Sequence, residues 1–518
     1  MSTEVQMARY KHYDYGQMKL VPVSFAQQIL PGSFEHALNQ LIDEHFDLSV
    51  FEAQYRNDET GAPAYDPAIL LKIILFAYSK GVTSSREIAQ LCSDNVVFMA
   101  LSADSAPHFT TIANFISRQQ SEIVSIFRDV LLVCDEQGLI GKQMFAVDGV
   151  KLPSNASKEW SGTLEEFQNK ALKLEQALDK LLDRHRQVDA NAEEPALREA
   201  RAKQTQTLRA ALDKVRGFLR CGQDKVGAQG RVKKSNITDN DSAKIKTAKG
   251  TFQGYTGVAL VDARHQVIVH AQAFGEGQEH GLLIPVLEAA AQSCRELTPP
   301  AEPIKLAADA GYHSEANLKY LADHAIEGYV ADTMFRKRDV RFAQAGRHKP
   351  AKPLDPKALF RPTDFRFAED LSHCICPAGK RLYRNGANVV INGYAGTKFH
   401  GAQRDCLPCS LRERCLKNPQ HTQARQVVFF KGRAQGKPPT YSALMKRKID
   451  SEEGRYYYSR RLAIVEPVFG NICSSHKLRR FSLRGTRKVN NQWLLYSLVH
   501  NIGKIQRYGK LESPGKRS

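Results

Sequence analysis

The sequence lacks a long hydrophobic segment of the kind that crosses a membrane. It contains no run of about 18 apolar residues, which is the length that a membrane-spanning helix needs. The N-terminal stretch MSTEVQMARYKHYDYGQ is polar and has no apolar core, whereas a secretory signal peptide requires one. We therefore expect a cytoplasmic protein without a membrane partner.

Acidic residues are scarce relative to basic ones. The 518 residues include 74 Lys and Arg but only 55 Asp and Glu, which gives a formal net charge of +19. Such an excess favours a polyanionic partner, because basic side chains release counterions from phosphates. The charge alone does not distinguish DNA from RNA, and many basic proteins bind neither.

The N-terminal part of the chain has the pattern of packed helices. Pro67–Tyr78 is apolar around most of a helix and should be buried. A second helix can be capped by Ser84 or Ser85, and a third begins at Thr110 or Thr111. Short helices joined by tight turns favour a helix-turn-helix that binds DNA. A helical bundle used for dimerisation is the alternative.

A second helical pattern interrupts the middle of the chain. From Leu164 to about Leu219 the sequence is rich in Leu, Ala, Glu, Gln, Lys and Arg, with a break near Asp189–Pro195. Leucines recur there at helical spacing, namely Leu172, Leu174, Leu178, Leu181 and Leu182. The pattern predicts a helical hairpin or a short coiled coil with a structural role.

Strand-like runs flank this helical segment. Gln143–Asp148 reads as a buried strand, and Gly254–Asp262 with Gln266–Phe274 reads as a hairpin. Pro303–Asp309 is a further buried strand between two predicted helices, and Gly328–Asp332 is the last strand. This order predicts an α/β fold with a mixed sheet and helices packed on it.

Two of these strands end in the same way. Asp148 and Asp309 each follow an apolar strand and are followed within two residues by a glycine. Carboxylates at the carboxyl ends of neighbouring strands converge on one crevice of an α/β sheet. They repel each other unless cations neutralise them, and Mg²⁺ prefers such oxygen ligands. Two such ions can assist an in-line phosphoryl displacement.

The layout resembles the DDE transposases of bacterial insertion sequences, and especially the eleven-eighty-two family. The resembling segments are AVDGVKLPSNAS around Asp148, TDNDSAKIK with GYTGVALVD, LAADAGYHSEANLKYL around Asp309, YYYSRRLAIVEPVFGNI around Glu466, and the closing RFSLRGTRKVNNQWLLYSLVHNIGKI. The resemblance runs from about residue 15 to about residue 505.

The resemblance implies a ribonuclease-H-like core in which Asp148, Asp309 and Glu466 bind two catalytic Mg²⁺ or Mn²⁺ ions. It also implies that water attacks DNA at the terminal inverted repeats of the element, and that the freed 3′-hydroxyl then attacks target DNA. Synapsis of two ends makes a homodimer the expected form. A chromosomal substrate makes the expected location nucleoid-associated.

The segment around Glu466 is the most specific part of the resemblance. In related transposases a tyrosine and an arginine precede the glutamate, and a basic residue follows it. Here Tyr458 and Arg461 fit, with Arg460 as a competing arginine, and Lys477 follows at a longer spacing. Arginine suits bidentate contact with phosphate. The alternative for Glu466 is an acid at a helix N-terminus, because the proline that follows it is favoured in a first turn.

Other polar residues are candidates for contact with DNA. Lys151, Ser154 and Asn155 follow Asp148 and suit phosphate contact, and Arg484 lies in the closing basic segment.

Three further polar residues have a structural interpretation as well as a functional one. Asp239 and Asp241 precede the hairpin, where a solvated turn is favoured over a metal role. His313 follows the second aspartate, where contact with DNA is no better supported than capping or packing.

Ten cysteines in a cytosolic chain are expected to be reduced thiols or metal ligands rather than disulfides. Five of them crowd into one short stretch, where a Cys-x-x-Cys pair with two further thiols suffices for a tetrahedral zinc site. The expected ligands of this structural Zn²⁺ are Cys376, Cys406, Cys409 and Cys415. Cys374 or His373 is the substitute ligand, and free buried thiols are the alternative.

These inferences divide the chain into five segments. They are a helical DNA-binding domain (1–140), the first part of a ribonuclease-H-like catalytic core (141–333, with a helical insertion at 160–222), an irregular, basic, cysteine-rich and zinc-ribbon-like insertion (334–443), the C-terminal part of the core (444–507) and a disordered tail (508–518). The expected activity is metal-dependent cleavage and strand transfer at the ends of an insertion sequence. The alternatives are a metal-dependent endonuclease that does not join ends, and a non-enzymatic DNA-binding regulator.

Overall fold

The structure is a computed structural model in which the chain forms two compact units. The first unit comprises the residues up to Thr333 and from Lys448 onward, and the second is Met334–Arg447. The described residues are 23–54, 63–188, 195–226, 232–248, 250–299, 303–345, 358–391, 393–433 and 438–511.

The first unit begins with a group of helices. They are α1 (Phe25–Gln28), α2 (Phe34–Glu44), α3 (Pro67–Lys80), α4 (Ser85–Asp94), α5 (Val96–Leu101), α6 (Phe109–Arg118) and α7 (Gln120–Glu136). The prediction of a buried α3 is confirmed, since every residue from Leu70 to Tyr78 is buried. Ser84 caps α4 by accepting a hydrogen bond from the N–H of Glu87, as predicted.

The connection from α4 to α6 differs from the prediction. The helix α5 intervenes, so α4 and α6 are not joined by one tight turn. Helix α6 begins at Phe109, one residue before the earlier of the two predicted starts, Thr110 and Thr111, and His108 is its N-cap.

An α/β segment follows the helices. Its elements are β1 (Met144–Pro153), β2 (Ser161–Gly162), α8 (Leu164–Val188), α9 (Pro195–Cys221), β3 (Lys225–Val226), β4 (Val232–Lys233), β5 (Ser235–Asn236), β6 (Ala243–Thr247), β7 (Gly250–Asp262), β8 (Ile268–Phe274), α10 (Leu283–Ser293), β9 (Lys305–Ala308), α11 (Glu315–Asp323) and β10 (Glu327–Val330).

The main sheet of this unit is mixed, as predicted. Its order is β10–β9–β1–β7–β6, and β8 also pairs with β7. The long strand β7 runs antiparallel to β1, β6 and β8, whereas β9 runs parallel to both β1 and β10. From Gln253 to Asp262, β7 is continuously buried, which identifies it as a central strand.

Helices α8 and α9 form the predicted helical hairpin. Phe167 and Ala171 of α8 pack with Leu212 and Val215 of α9 in a small core of their own. Leu172 was counted with the apolar spacing but is 56% exposed. The predicted break at 189–194 lies outside the described residues.

Two long helices complete the first unit, α16 (Glu452–Gly470) and α17 (Thr486–Tyr508). The prediction of a core helix from about 490 to 505 is confirmed, since Trp493 and Ile502 of α17 are fully buried. The helix includes Tyr508, so the predicted disordered tail begins too early. Residues 512–518 of that tail lie outside the described residues.

Side chains of α17 satisfy backbone groups on β8. The N–H of Ala273 donates to Asn490 Oδ1 at 2.8 Å. The N–H of Ile268 donates to Asn501 Oδ1, and Asn501 Nδ2 donates to the carbonyl of Ile268, both at 2.8 Å. Two asparagines therefore supply hydrogen bonds that a further strand would otherwise provide at this edge.

The second unit is a cysteine-bearing sheet rather than the irregular segment that the sequence suggested. Its elements are α12 (Phe335–Arg338), β11 (Arg366–Phe367), β12 (His373–Ile375), β13 (Arg381–Arg384), β14 (Val389–Ile391), β15 (Tyr394–Gly401), α13 (Gln403–Cys406), α14 (Arg412–Cys415), β16 (Gln426–Arg433) and α15 (Tyr441–Asp450). The last three residues of α15 belong to the first unit. The strands pair antiparallel in the order β11–β12–β13–β15–β14, and β16 also pairs with β15. Short strands between basic and polar turns carry too little periodicity to be recognised from sequence.

Within the described ranges, no single helix is long and apolar enough to cross a membrane. One bent pair, α3 with α4, meets the criteria of length and composition only.

We expect Asn501→Ala to destabilise the first unit. The change leaves an N–H and a carbonyl of Ile268 without the partners that Asn501 provides, and each unsatisfied buried group costs roughly 1–3 kcal/mol. Thermal melting should show a clear decrease in Tm for this variant. Lys488→Ala, at an exposed position of the same helix, should melt like the wild type, and equal melting of both variants would contradict the role of Asn501.

Candidate active site

The pairing of β1 with β9 brings Asp148 and Asp309 side by side. Val147 pairs with Ala308 in the last step of the parallel register, and each aspartate is the next residue of its chain segment. Contrary to the prediction, β1 does not end at Asp148, because its pairing with β7 continues to Pro153. Only the parallel pairing with β9 ends there, and both carboxylates follow directly after it.

A single guanidinium group joins the two aspartates. Arg461 Nη1 donates to Asp148 Oδ2, and Arg461 Nη2 lies 3.4 Å from Asp309 Oδ1. The side chains of Arg461 and Asp148 are only 10% and 20% exposed, so their ion pair is largely shielded from solvent. The sequence predicted that Arg461 contacts phosphate, and in this structure the two acids are its partners.

Helix α16 positions this arginine. Ser451 caps the helix by accepting a hydrogen bond from the N–H of Gly454. Tyr458, Arg461 and Val465 follow at spacings of three and four residues, which places them on one face of the helix. The Tyr458 hydroxyl lies 3.5 Å from Asp309 Oδ1 on the same side. One helical face therefore brings a tyrosine and an arginine to the acids.

Burial raises the pKa of Asp148 to about 6. The charge of Arg461 and the N–H of Gly149, which donates to Asp148 Oδ1 at 2.8 Å, both lower the pKa. The charges of Asp309 and Glu279 raise it. Buried acids with a shifted pKa and specific charged neighbours are typical of functional sites.

Glu279 is a third carboxylate near Asp148 and Asp309, and it was not predicted from the sequence. Its Oε1 lies 2.9 Å from Lys151 Nζ. A Cβ atom added to Gly149 would lie 3.6 Å from Glu279 Oε1, and one added to Gly311 would lie 2.3 Å from Glu279 Oε2. Gly311 thus leaves room for this glutamate, whereas Gly149 is in ordinary contact range of it. The acidic, glycine-containing loop GEGQEH after β8 was the available signal.

Tyr312 lies beside the acids with an unsatisfied hydroxyl. The residue is fully buried, and its Oη has no hydrogen-bond partner in the part of the chain that the structure describes. Its Oη would lie 3.4 Å from a Cβ atom on Gly149. Burial raises the pKa of Tyr312 well above its ordinary value, and the charges of Glu279 and Asp148 raise it further.

Glu466 is placed differently from the two aspartates. It lies on α16 and is exposed, whereas Arg461 and Val465 of that helix are buried. The charges that most affect the pKa of Asp148 do not include it. Pro467 lies inside the helix rather than in its first turn, so the interpretation of Glu466 as a helix N-terminal acid is wrong. Its assignment as the third catalytic acid stays a prediction.

The other predicted DNA contacts are dispersed. Lys477 is exposed and packs against Gly81 at the end of α3. Arg484 is exposed and donates from Nε to the carbonyl of Asn155 at 2.7 Å. Asn155 is tied to the same segment, since its Nδ2 donates to the carbonyl of Ser482. Ser154 is 2% exposed, and its hydroxyl donates to the carbonyl of a β7 residue, so it is not open to phosphate.

Asp239, Asp241 and His313 have structural partners. Asp239 is buried and accepts hydrogen bonds from the Tyr255 hydroxyl and from a backbone N–H just before α17. Asp241 accepts a hydrogen bond from the N–H of Thr486, the first residue of α17. The interpretation of Asp239 as part of a solvated turn is therefore wrong. His313 Nδ1 lies 3.0 Å from a backbone carbonyl of β10, which fits packing.

In the described part of the chain, no three His, Cys, Asp or Glu side chains have the geometry of a metal site. The donor chemistry of the acids nevertheless fits a hard divalent cation, because carboxylate oxygens are its preferred ligands. Asp148 and Asp309 also converge on one cationic group, the guanidinium of Arg461. A divalent ion would compete with that guanidinium for the same oxygens.

The four cysteines that the sequence selected line one small cavity of the second unit, about 30 Å³ in volume. The N–H of Lys380 donates to Cys376 Sγ at 3.3 Å. Burial raises the pKa of Cys415, Arg425 lowers it, and the charges of the three other thiols raise it. Cys374, the substitute ligand, is fully buried in the hydrophobic core of this unit instead.

The raised pKa of Asp148 predicts a pH-dependent stability. Because the pKa in the folded state is about 6 and the ordinary value is 3.8, the folded chain keeps this proton to higher pH than the unfolded chain. In EDTA, wild type should therefore lose stability relative to Asp148→Asn as the pH rises from about 4 to about 6, by at most about 3 kcal/mol. Thermal melting across this range measures the difference. A difference between the two proteins that does not change with pH would contradict the assignment.

Two stretches of the chain match known protein families. Residues 23–118 match a family described as "Transposase domain (DUF772)", and residues 375–506 match one described as "Transposase DDE domain". The second match includes Glu466 but neither Asp148 nor Asp309. The comparison with curated proteins gave no match.

The two matches agree in function, and neither distinguishes the particular insertion-sequence family. A DDE domain implies a ribonuclease-H-like core, which agrees with the mixed α/β sheet. Enzymes of this type generally use Mg²⁺ or Mn²⁺ and act on DNA. Together the two matches indicate a DDE-type transposase of an insertion sequence, an enzyme with nuclease and strand-transferase activity.

Proposed function

We propose that this transposase cleaves the terminal inverted repeats of its element and joins them to target DNA at a site built on Asp148 and Asp309. Glu466 is the third catalytic acid in this proposal, as the sequence predicts. The observation that supports the proposal best is the convergence of both aspartates on the Arg461 guanidinium. Two carboxylates held this close need a cation between them.

Divalent ions bound at this site would activate a water molecule or the DNA 3′-hydroxyl for attack and would stabilise the leaving oxygen. Asp148 and Asp309 would hold them. When a cation replaces the guanidinium, Arg461 becomes able to contact a DNA phosphate from the same helical face, in the role that the sequence assigns to it. Tyr458 lies beside Asp309 on the same face of α16, where it would contact the DNA backbone.

The DNA would be held by surfaces around this site. The exposed side chain of Arg484 and the Lys151 ammonium group are candidates for backbone contact, which adds affinity without sequence preference. The helices of the N-terminal segment, within 1–140, would recognise the sequence of the inverted repeats. Because two element ends must be paired before transfer, the active form would be a homodimer, associated with the nucleoid.

Asp148→Asn and Asp309→Asn should each abolish strand cleavage in Mg²⁺ while binding to element ends persists. Each substitution removes a charge that a divalent ion requires and keeps the shape of the side chain. Cleavage of a labelled inverted-repeat DNA and its mobility shift with protein measure the two properties separately. Asp323→Asn, at the exposed end of α11, is the matched control and should cleave like the wild type.

The same assay separates the alternatives. A strand-transfer product with target DNA is expected here, whereas an endonuclease would give cleaved ends only. Binding to element ends that persists in EDTA, without cleavage in Mg²⁺, would favour a non-enzymatic DNA-binding role. Normal cleavage by Asp148→Asn in Mg²⁺ would contradict the proposed site, and normal cleavage by Glu466→Gln would remove Glu466 alone from it.

We also propose that the second unit binds one structural Zn²⁺ through Cys376, Cys406, Cys409 and Cys415. The support is that these four thiols line one cavity and that the charges of the other three act on Cys415. The hydrogen bond from a backbone N–H to Cys376 Sγ would stabilise a thiolate at that position. Four thiolates leave no open position, so the role would be structural.

Purified wild type should therefore contain about one zinc per chain by elemental analysis. Cys409→Ser removes one ligand and should lower the zinc content and the melting temperature of the protein. Cys221→Ser changes an exposed cysteine on α9 and should leave both unchanged. Wild-type protein purified without chelator that contains no zinc would contradict the proposal.

A further inference from the structure

We propose that Glu279 is a further metal-ligating carboxylate of the site formed by Asp148 and Asp309. This inference rests on the proposed function, because it assigns another ligand to the same divalent ions. Neither the resemblance nor the family matches place a ligand in the loop between β8 and α10. The inference follows from the position and surroundings of this one side chain.

The Glu279 carboxylate lies against the backbone that carries both aspartates. Its Oε1 would be 3.6 Å from a Cβ atom on Gly149, the residue after Asp148. Its Oε2 would be only 2.3 Å from a Cβ atom on Gly311, two residues after Asp309. A side chain at Gly311 cannot coexist with the carboxylate in this position. Gly311, in the segment that carries Asp309, thus makes room for Glu279, and Gly149 lies in contact range of the same carboxylate.

The loop that carries Glu279 is held in place by hydrogen bonds. Buried Asn317 donates from Nδ2 to the carbonyl of His280 at 2.9 Å and to the carbonyl of Tyr312 at 2.8 Å. Thr256 of β7 donates from its hydroxyl to the carbonyl of Glu276 at 2.6 Å. These bonds tie the loop to the Asp309 segment and to the sheet. The Glu279 side chain is 10% exposed, so it is enclosed as well as positioned.

A buried hydroxyl lies at the same point. Tyr312 is fully buried, and its Oη, which lies beside Gly149, has no hydrogen-bond partner among the described residues. Leaving a buried hydroxyl unsatisfied costs free energy, and Arg461 Nε is unsatisfied in the same way. An oxygen of a group held by the ion, such as a DNA phosphate, would provide an acceptor for these donors.

The charges at the site favour the binding of a cation. Three carboxylates, Asp148, Asp309 and Glu279, are arranged with two cationic side chains, Arg461 and Lys151. The described groups therefore leave a net charge of −1 in a largely enclosed place. A divalent ion that displaces Arg461 from the aspartates would gain three oxygen ligands of the type it prefers.

The test is Mn²⁺ binding by the full chain without DNA, measured by electron paramagnetic resonance. We expect Glu279→Gln to weaken Mn²⁺ affinity by about tenfold or more. The matched control is Glu276→Gln, which changes an exposed glutamate of the same loop that also faces a lysine, Lys233. The control should bind Mn²⁺ like the wild type. Melting temperatures of all variants show whether each is folded.

Gly311→Ala provides a second variant that changes no charge. Its methyl group would displace the flexible end of Glu279 from the position beside Asp309. It should weaken Mn²⁺ affinity in the wild type and have little further effect in a Glu279→Gln background, since the displaced ligand is already lost. This coupling distinguishes ligation by Glu279 from a general disturbance of the loop.

Mn²⁺ affinity of Glu279→Gln equal to that of wild type would overturn the inference, and so would a loss in Glu276→Gln of the same size. Failure of the proposed function gives a different result, because Asp148→Asn would then also bind Mn²⁺ with the affinity of the wild type. If Asp148→Asn loses affinity while Glu279→Gln does not, the site stands and Glu279 is not part of it.

Discussion

The arrangement of the candidate active site depends on a positive charge that neutralises two adjacent carboxylates. Asp148 and Asp309 each follow the last pair of the parallel register between β1 and β9, and both approach one guanidinium group. Two adjacent like charges repel each other, and the repulsion is stronger at Asp148, which is largely shielded from water, than it would be in solvent. The chain supplies the opposite charge itself, from a helix more than 150 residues further along the sequence. Arg461 therefore acts as the internal counter-ion of a site built to receive cations.

The rest of the fold maintains this arrangement. The parallel pairing of β1 with β9 sets the aspartates side by side, and α16 brings Arg461 and Tyr458 to them from one face. Asparagines of α17 accept hydrogen bonds from backbone N–H groups of β8, the strand that precedes the loop of Glu279. Breaking a buried pair by removing one partner is costly, because the remaining charge is left uncompensated. Replacement of the guanidinium by a divalent ion avoids that cost.

Much of the fold could be predicted from the sequence, because its main elements have strong periodicity. The hairpin of β7 and β8, the helical insertion of α8 and α9, and the mixed sheet all follow from patterns of apolar residues. The continuation of β1 past Asp148 could not be predicted, since it is a property of its pairing with β7. The short strands of the second unit carry no comparable periodicity.

The site was predictable only in part, for a related reason. Strand ends followed by glycine identify Asp148 and Asp309, but a sequence pattern does not reveal which charges face each other across the fold. Arg461 was assigned to phosphate because its pairing with the aspartates joins distant segments. Glu279 was missed because a loop residue reveals its role only through the glycines it packs against. The exposed position of Glu466 likewise depends on how α16 lies on the sheet.

The most direct test of this account is anomalous X-ray diffraction from crystals of the transposase grown with Mn²⁺ and an inverted-repeat DNA end. We expect anomalous density between the carboxylates of Asp148 and Asp309, with the Arg461 guanidinium moved away from them. Density at a different place, with the contact between Arg461 and Asp148 intact, would contradict it.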